Sequence, residues 1–277
     1  MKSQTLESKP VVINRTYLPP HLINFVRFAT WYSRTFSGYL SLVVFIGSIA
    51  LGRPPIETED TGTPGDGKWE INTAWTYTRS SSSKDSTLPT LDFNYGIGSN
   101  VQIKYEIAGL ERRALGGDVQ RAISDSLAGI KWRVRDQEDF PISVFPQVQF
   151  QTPGSKAREK ALAEDGVTTS IPWETSSAFG KTAIDLEMGP VFRTHHNPRW
   201  IYGLALTRPL GRKLELSIEF RGEANTDFDR SILAVNAGAH IKLMSDAGLL
   251  VSIGRELHNH DSDCATLTAY VGWQILR

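Results

Sequence analysis

From position 68 onward the chain alternates apolar and polar residues with period two, in one segment after another. In the first run Trp69, Ile71, Thr73, Trp75 and Tyr77 share one parity, and Lys68, Glu70, Asn72, Ala74, Thr76 and Thr78 share the other. Successive side chains of a strand point to opposite faces, so this run predicts a strand with one apolar and one polar side. The same pattern recurs over 88–95, 101–109, 127–134, 142–151, 170–179, 182–188, 200–206, 214–221, 233–241, 249–255 and 267–276. Pro146 interrupts the fifth of these runs. It cannot donate to a sheet ladder, so a local bulge is expected there.

Connections between the runs alternate between polar loops and tight turns. Residues 80–87, 111–121, 152–169, 193–199, 222–230 and 257–265 read as loops; 96–100, 180–181, 209–213 and 245–248 read as turns. The longest loop, 152–169, is rich in Lys, Glu and Ala, and a helical turn is expected within it. Short turns at one end and longer loops at the other are the rhythm of a transmembrane β-barrel, here of about 12 antiparallel strands. Aromatic placement fits: Trp69, Trp75, Trp132, Trp173, Trp200 and Trp273 all lie on the apolar parity of their strands. Such residues suit the interfaces of a bilayer. In a soluble barrel the apolar parity would point inward, but about a dozen strands enclose more space than side chains fill. The expected class is therefore all-β, a transmembrane antiparallel barrel.

Charge and the first 52 residues change the picture in one respect. The chain of 277 residues carries 30 basic and 30 acidic side chains, so nothing in it suggests a nucleic-acid partner. Residues 1–52, however, hold Lys2, Lys9, Arg15, Arg27 and Arg34 against Glu7 alone. A basic head, the apolar run 39–51 and the small residues Ala50 and Gly52 read as an export signal cleaved before Arg53. The head is long for a signal, and Val26 is an alternative start. The expected organisation is a leader at 1–52, a periplasmic N-terminal segment at 53–66 and a barrel at 67–277. Cys264 is the one cysteine, so no internal disulfide forms.

The stretch after the leader, RPPIETEDTGTPGDGKWEI, resembles the opening of a family of outer-membrane proteins. The family carries the label "MetA-pathway of phenol degradation" and is associated with transport. The matching positions are Arg53, Pro54, Pro55, Thr58, Asp60, Gly67, Trp69 and Glu70, with weaker echoes at 91–101 and 146–154. The resemblance implies a barrel in the outer membrane, in contact with its lipid and delivered by the barrel-assembly machinery. It also implies transport of small solutes, among them small hydrophobic or aromatic compounds. It supplies no catalytic residue and no cofactor. The chain departs from outer-membrane barrels in ending on Trp273-Gln274-Ile275-Leu276-Arg277 rather than on an aromatic residue.

Candidate chemistry follows from the polar parity. Lys104, Glu106, Lys131, Arg133, Asp185, Glu187, Glu215, Glu219, Arg221 and His240, with Lys242, are expected to line the lumen. Lys131 and Arg133 are expected to form the basic wall of a constriction, faced by acids across a transverse field. Pairing of the same charges into a salt-bridged plug is the alternative. A phospholipase-like hydrolase would need a serine near His240, and Ser217 and Ser252 are the candidates on neighbouring strands. A closed structural or adhesion barrel would act through the loop 152–169. His195-His196 and the group His258, His260, Asp261, Asp263 and Cys264 have ligand chemistry but fall in expected loops, so no metal or other cofactor is expected.

Overall fold

The computed structural model describes residues 55–137, 140–260 and 263–277; the expected leader at 1–52 lies outside the described residues. The strands are β1 (Trp69–Arg79), β2 (Ser83–Ile97), β3 (Val101–Ala114), β4 (Val119–Ile123) and β5 (Ser126–Arg135). Then come β6 (Ile142–Val144), β7 (Gln147–Phe150), β8 (Thr168–Ser170), β9 (Trp173–Phe179) and β10 (Thr182–Arg193). The last five are β11 (Arg199–Pro209), β12 (Leu214–Asn225), β13 (Ser231–Lys242), β14 (Ala247–Asn259) and β15 (Leu267–Leu276). Three pairs continue one another. β4 and β5 both bond to β3, β6 and β7 both to β5, and β8 and β9 both to β10. β15 then pairs with β1 from Glu70↔Leu276 to Arg79↔Leu267. The result is a closed antiparallel barrel of twelve staves.

Burial along the regular staves follows the period of the sequence, with its usual sense inverted. On β1 Glu70, Asn72 and Ala74 are buried while Trp69 and Trp75 are exposed. On β10 Ala183, Asp185, Glu187 and Val191 are buried while Leu186 and Met188 are exposed. Charged residues inside and apolar residues outside are what a soluble barrel cannot tolerate and a lipid-embedded one requires. Trp75, Trp132, Leu216 and Ile218 are exposed on the outer face; Trp200 and Trp273 are half-buried there.

The strands extend further than their alternation indicates. Residues 111–121, expected as a loop, are mostly β3 and β4, with a turn between Ala114 and Val119. Likewise β2 begins at Ser83 and β12 reaches Asn225. At these ends both faces are polar, so the period vanishes, and cross-strand charge pairs hold the ladder instead. Arg112 grips Asp85 with two nitrogens, each at 3.0 Å, and Arg121 meets Glu111 at 2.8 Å. At Pro146 the stave does not bulge but breaks, and it breaks again in the next stave at Pro172. Backbone groups freed there still find partners: Ile130 N donates to Pro146 O at 3.0 Å and Phe145 N to Pro172 O at 2.9 Å. The loop 152–167 holds turns and no helix, and is pinned by Arg158 on Asp125 at 2.8 Å.

Candidate functional site: the lumen and the segment inside it

Residues 55–66 run along the inward-facing side chains of the barrel. The cause is visible in the pairing of their backbone. A chain inside a lumen has no strand neighbour, so its N–H and C=O groups need side-chain partners. Glu219 accepts from the backbone N–H of Glu57 at 3.0 Å and from that of Thr58. Glu187 accepts from Glu59 N at 3.2 Å. In the other sense, Lys131 Nζ donates to Asp60 O at 2.6 Å and Arg133 Nε to Thr61 O at 2.9 Å. Thr61 Oγ1 donates to Ser176 at 3.1 Å, and Asn236 Nδ2 to Glu219 at 2.7 Å. The segment leaves through a turn locked to the β2–β3 hairpin: Gly67 N donates to Gly96 O at 3.0 Å and Gly98 N to Asp66 at 2.8 Å.

Side-chain charges complete the anchorage. Lys131, only 1% exposed, lies 3.0 Å from Glu59 and 3.2 Å from Glu174, with its ammonium 4.9 Å from the centroid of the buried Phe145 ring. Lys104 lies 3.6 Å from Glu59, 3.4 Å from Asp92 and 3.6 Å from Glu106. Arg221 pairs with Glu187 and, at 3.2 Å, with Glu57. Burial pushes the Glu59 carboxyl up, but Lys131 and Lys104 together overcome it and hold the group low, at about 2. Two glycines make room for the chain: a β-carbon on Gly203 would run into Thr58, and one on Gly238 would come within 2.8 Å of Pro55.

Of the expected lumen residues, Lys104, Glu106, Lys131, Arg133, Glu187, Glu219 and Arg221 come together around the segment. Asp185 sits fully buried below Glu187 on β10. Glu215 and His240 stand apart, 3.6 Å from each other near the turn end, with Lys242 3.0 Å from Glu215. Lys131 and Arg133 do not present a free basic wall, because carboxylates and carbonyls of the segment and of β9 cover them. Nor do base and acid face each other across an open field; they meet in the middle, through the segment. Sequence reasoning missed Glu57, Glu59, Asp60, Asp92 and Glu174. Asp92 and Glu174 lie on the polar parity of their strands, and that signal was available. Inward-facing Gly203 and Gly238 were a second signal, marking where something else occupies the lumen.

On the loop side lies a cavity of about 530 Å³, lined by Ile56, Glu57, Lys104, Glu106, Arg221 and Tyr270 among others. Nearer the turn end a second, of about 550 Å³, is lined by Arg212, Lys213, His240, Lys242 and Gln274. Of the hydrolase candidates, Ser217 Oγ lies 3.0 Å from Thr207 Oγ1, His240 Nδ1 faces Glu215 at 3.6 Å, and Ser252 lines the loop-side cavity.

No family model matches the chain, and no curated protein matches it in sequence. Solved structures do match. The COG4313 outer membrane channel from Pseudomonas putida F1 superposes with a TM-score of 0.69 at 10% identity, covering 80% of this chain and 100% of that one. The KdgM porin gives 0.52 at 9% identity over 74% and 98%. The translocator domain of the autotransporter NalP from Neisseria meningitidis gives 0.51 at 11% identity over 92% and 95%. At these identities the likeness is one of fold, and the fold is that of outer-membrane β-barrels.

Proposed function

We propose that this protein is an outer-membrane channel that passes small solutes through a narrow, charged lumen, with residues 55–66 as its constriction. The carrying observation is the inverted barrel: an apolar outer face around a charged interior, with a cavity of about 530 Å³ against the segment and another of about 550 Å³ near the turn end. Lys104, Glu106, Lys131, Arg133, Asp185, Glu187, Glu215, Glu219, Arg221 and His240 line the path or fasten the segment that narrows it. Outer-membrane lipid is the surrounding partner and the barrel-assembly machinery the route of entry. The Arg-Pro-Pro opening supports the phenol-degradation family, and the fold likeness to an outer-membrane channel supports transport.

A second reading has its own observation. The segment's backbone is held by side chains of four strands, and on that reading the barrel is closed and structural. Planar-bilayer recording separates the two. The channel reading expects small, resolvable steps from the full chain. Silence that gives way to conductance when residues 55–64 are deleted supports the closed barrel; silence in both sinks transport.

A further inference from the structure

At the turn end the sheet register sets like charges side by side. The β12–β13 ladder runs one step past its first pair, Leu214↔Ile241, through Lys242 N on Lys213 O at 2.8 Å. That step puts Lys213 directly opposite Lys242, one rung beyond Glu215↔His240 and on the same inward parity. Residues so placed have β-carbons about 4.5–5.5 Å apart, and like charges there repel. Arg212 adjoins the pair in the same turn. Little carboxylate offsets them. Glu215 is shared between Lys242 at 3.0 Å and His240 Nδ1 at 3.6 Å. Among the described residues no carboxylate pairs with Arg212 or Lys213. Asp246, the acid of the neighbouring turn, does not line the cavity here. Residues 1–54, outside the described residues, hold Glu7 alone against Lys2, Lys9, Arg15, Arg27, Arg34 and Arg53, so that stretch carries no surplus of acid.

A separate observation concerns space rather than charge. The cavity of about 550 Å³ is lined by Arg212, Lys213, His240 and Lys242. Leu243, Met244 and Leu276 add apolar wall. Gly248 lines it too, and a β-carbon there would sit 2.3 Å from His240 Nε2. Glycine thus lets the imidazole lie back against the wall, while Glu215 holds its Nδ1, and the room beside the two lysines stays open. The frame is fixed by backbone bonds. Leu210 N donates to Leu214 O at 2.7 Å, Leu243 N to Ala247 O at 3.0 Å and Leu276 N to Asp246 O at 2.8 Å. A ligand entering here finds both turns already in place, so little ordering cost falls on binding.

We infer that the turn-end cavity binds a small oxyanion, a carboxylate or phosphate group carried on an apolar body. An oxyanion between Lys213 and Lys242 replaces their repulsion with charge-assisted hydrogen bonds, and the Arg212 guanidinium can take two oxygens at once. Leu243, Met244 and Leu276 give the apolar body a surface to cover. A cation is the poor fit, because it would add to the charge that is already unbalanced. The volume lies within the ordinary range for small-molecule sites, roughly 300–1,000 Å³. Two sources supply this chemistry: a free organic acid in the lumen, or the headgroup of an anionic phospholipid at the turn-end rim. The inference rests on the closed barrel and not on conduction.

The test is titration calorimetry of the full chain in a neutral detergent. The probes are benzoate, benzylammonium of similar shape and opposite charge, and dihexanoyl phosphatidylglycerol beside dihexanoyl phosphatidylcholine. Binding of benzoate assigns the site to a free organic acid; binding of the phosphatidylglycerol alone assigns it to a lipid headgroup. In Arg212→Gln/Lys213→Gln the affinity for whichever anion binds is expected to fall about tenfold. Both positions are exposed in a turn, and heat-modifiable gel mobility confirms that the variant barrel is folded. Arg113→Gln, which removes an exposed arginine at the loop end of β3, should leave the affinity unchanged. The inference is overturned if neither anion binds, if benzylammonium or phosphatidylcholine binds as well as its anionic counterpart, or if the folded double variant matches the parent. Binding is read without current, so silence in a bilayer bears on the channel reading and not on this site.

Discussion

The two arcs of the barrel wall are built differently. From β10 through β15 every stave is one unbroken strand, and register runs without a shift across β10–β11–β12–β13. From β4 through β9 each stave is broken, at Ser124-Asp125, at Phe145-Pro146 and at Ile171-Pro172. Both arcs hold the inner segment, by opposite means. The continuous arc offers carboxylates, Glu187 and Glu219, to the segment's N–H groups. The broken arc offers cations, Lys131 and Arg133, to its carbonyls. The breaks also turn Phe145 inward, fully buried beneath Lys131. Regular pairing makes a wall, and irregular pairing makes a wall that can pack its own contents.

The largest expected effect tests the broken arc. Lys131→Met leaves Glu59 and Glu174 without their shared cation in a buried site; breaking such a pair costs about 3–5 kcal/mol. Chemical denaturation of the folded barrel in detergent should show that loss, and a smaller one for Arg221→Met in the continuous arc, where one of its two partners, Glu57, is largely exposed and only the other, Glu187, is buried. Equal losses would mean that the arcs hold the segment alike.

Next in size is a test of the continuous arc's outer face. Leu216→Arg places a charge where lipid is expected, at a cost of roughly 2–4 kcal/mol near the midplane. Ser217→Arg, one residue along, points into the lumen. Assembly in cells, read as heat-modifiable protein in the membrane fraction, should fall for the first far more than for the second. Similar yields would mean that the outer face is not in lipid.

The smallest effect is one of pH. Glu59 joins the segment to Lys131 on the broken arc and Lys104 on its neighbour, and its carboxyl is held low, at about 2. A depressed carboxylate contributes stability that is complete above its ordinary value, 4.5, and lost as pH falls through about 2. Glu59→Gln should therefore lower the denaturation midpoint at pH 7 and change little at pH 2. A difference unchanged at pH 2 would show that its charge is not what holds the segment.

The outer face was legible because lipid imposes one rule on every stave: Trp69, Trp132, Leu216 and Val271 are apolar for the same reason, at the same period. Lys131 was correctly read as inward, but its partners were not readable. Glu59 lies 72 positions away and Glu174 another 43, on elements brought together only by closure of the ring. The segment itself carries no period, since its hydrogen bonds go to side chains on β5, β9, β10 and β12 rather than to a neighbouring ladder. Polar strand ends such as 111–121 hid for a related reason: above the membrane neither face need be apolar.

The turn at Gly65–Lys68, closed by Lys68 N on Gly65 O at 3.1 Å, ties the segment covalently to the first stave. The constriction is thus a blocker on a leash. If its contacts let go, the chain cannot diffuse away, and a short tether keeps it near its seat at an effective concentration on the order of millimolar. Recapture is therefore independent of how much protein is present. A free solute competing for the same groups would have to match that local concentration before it displaced the segment.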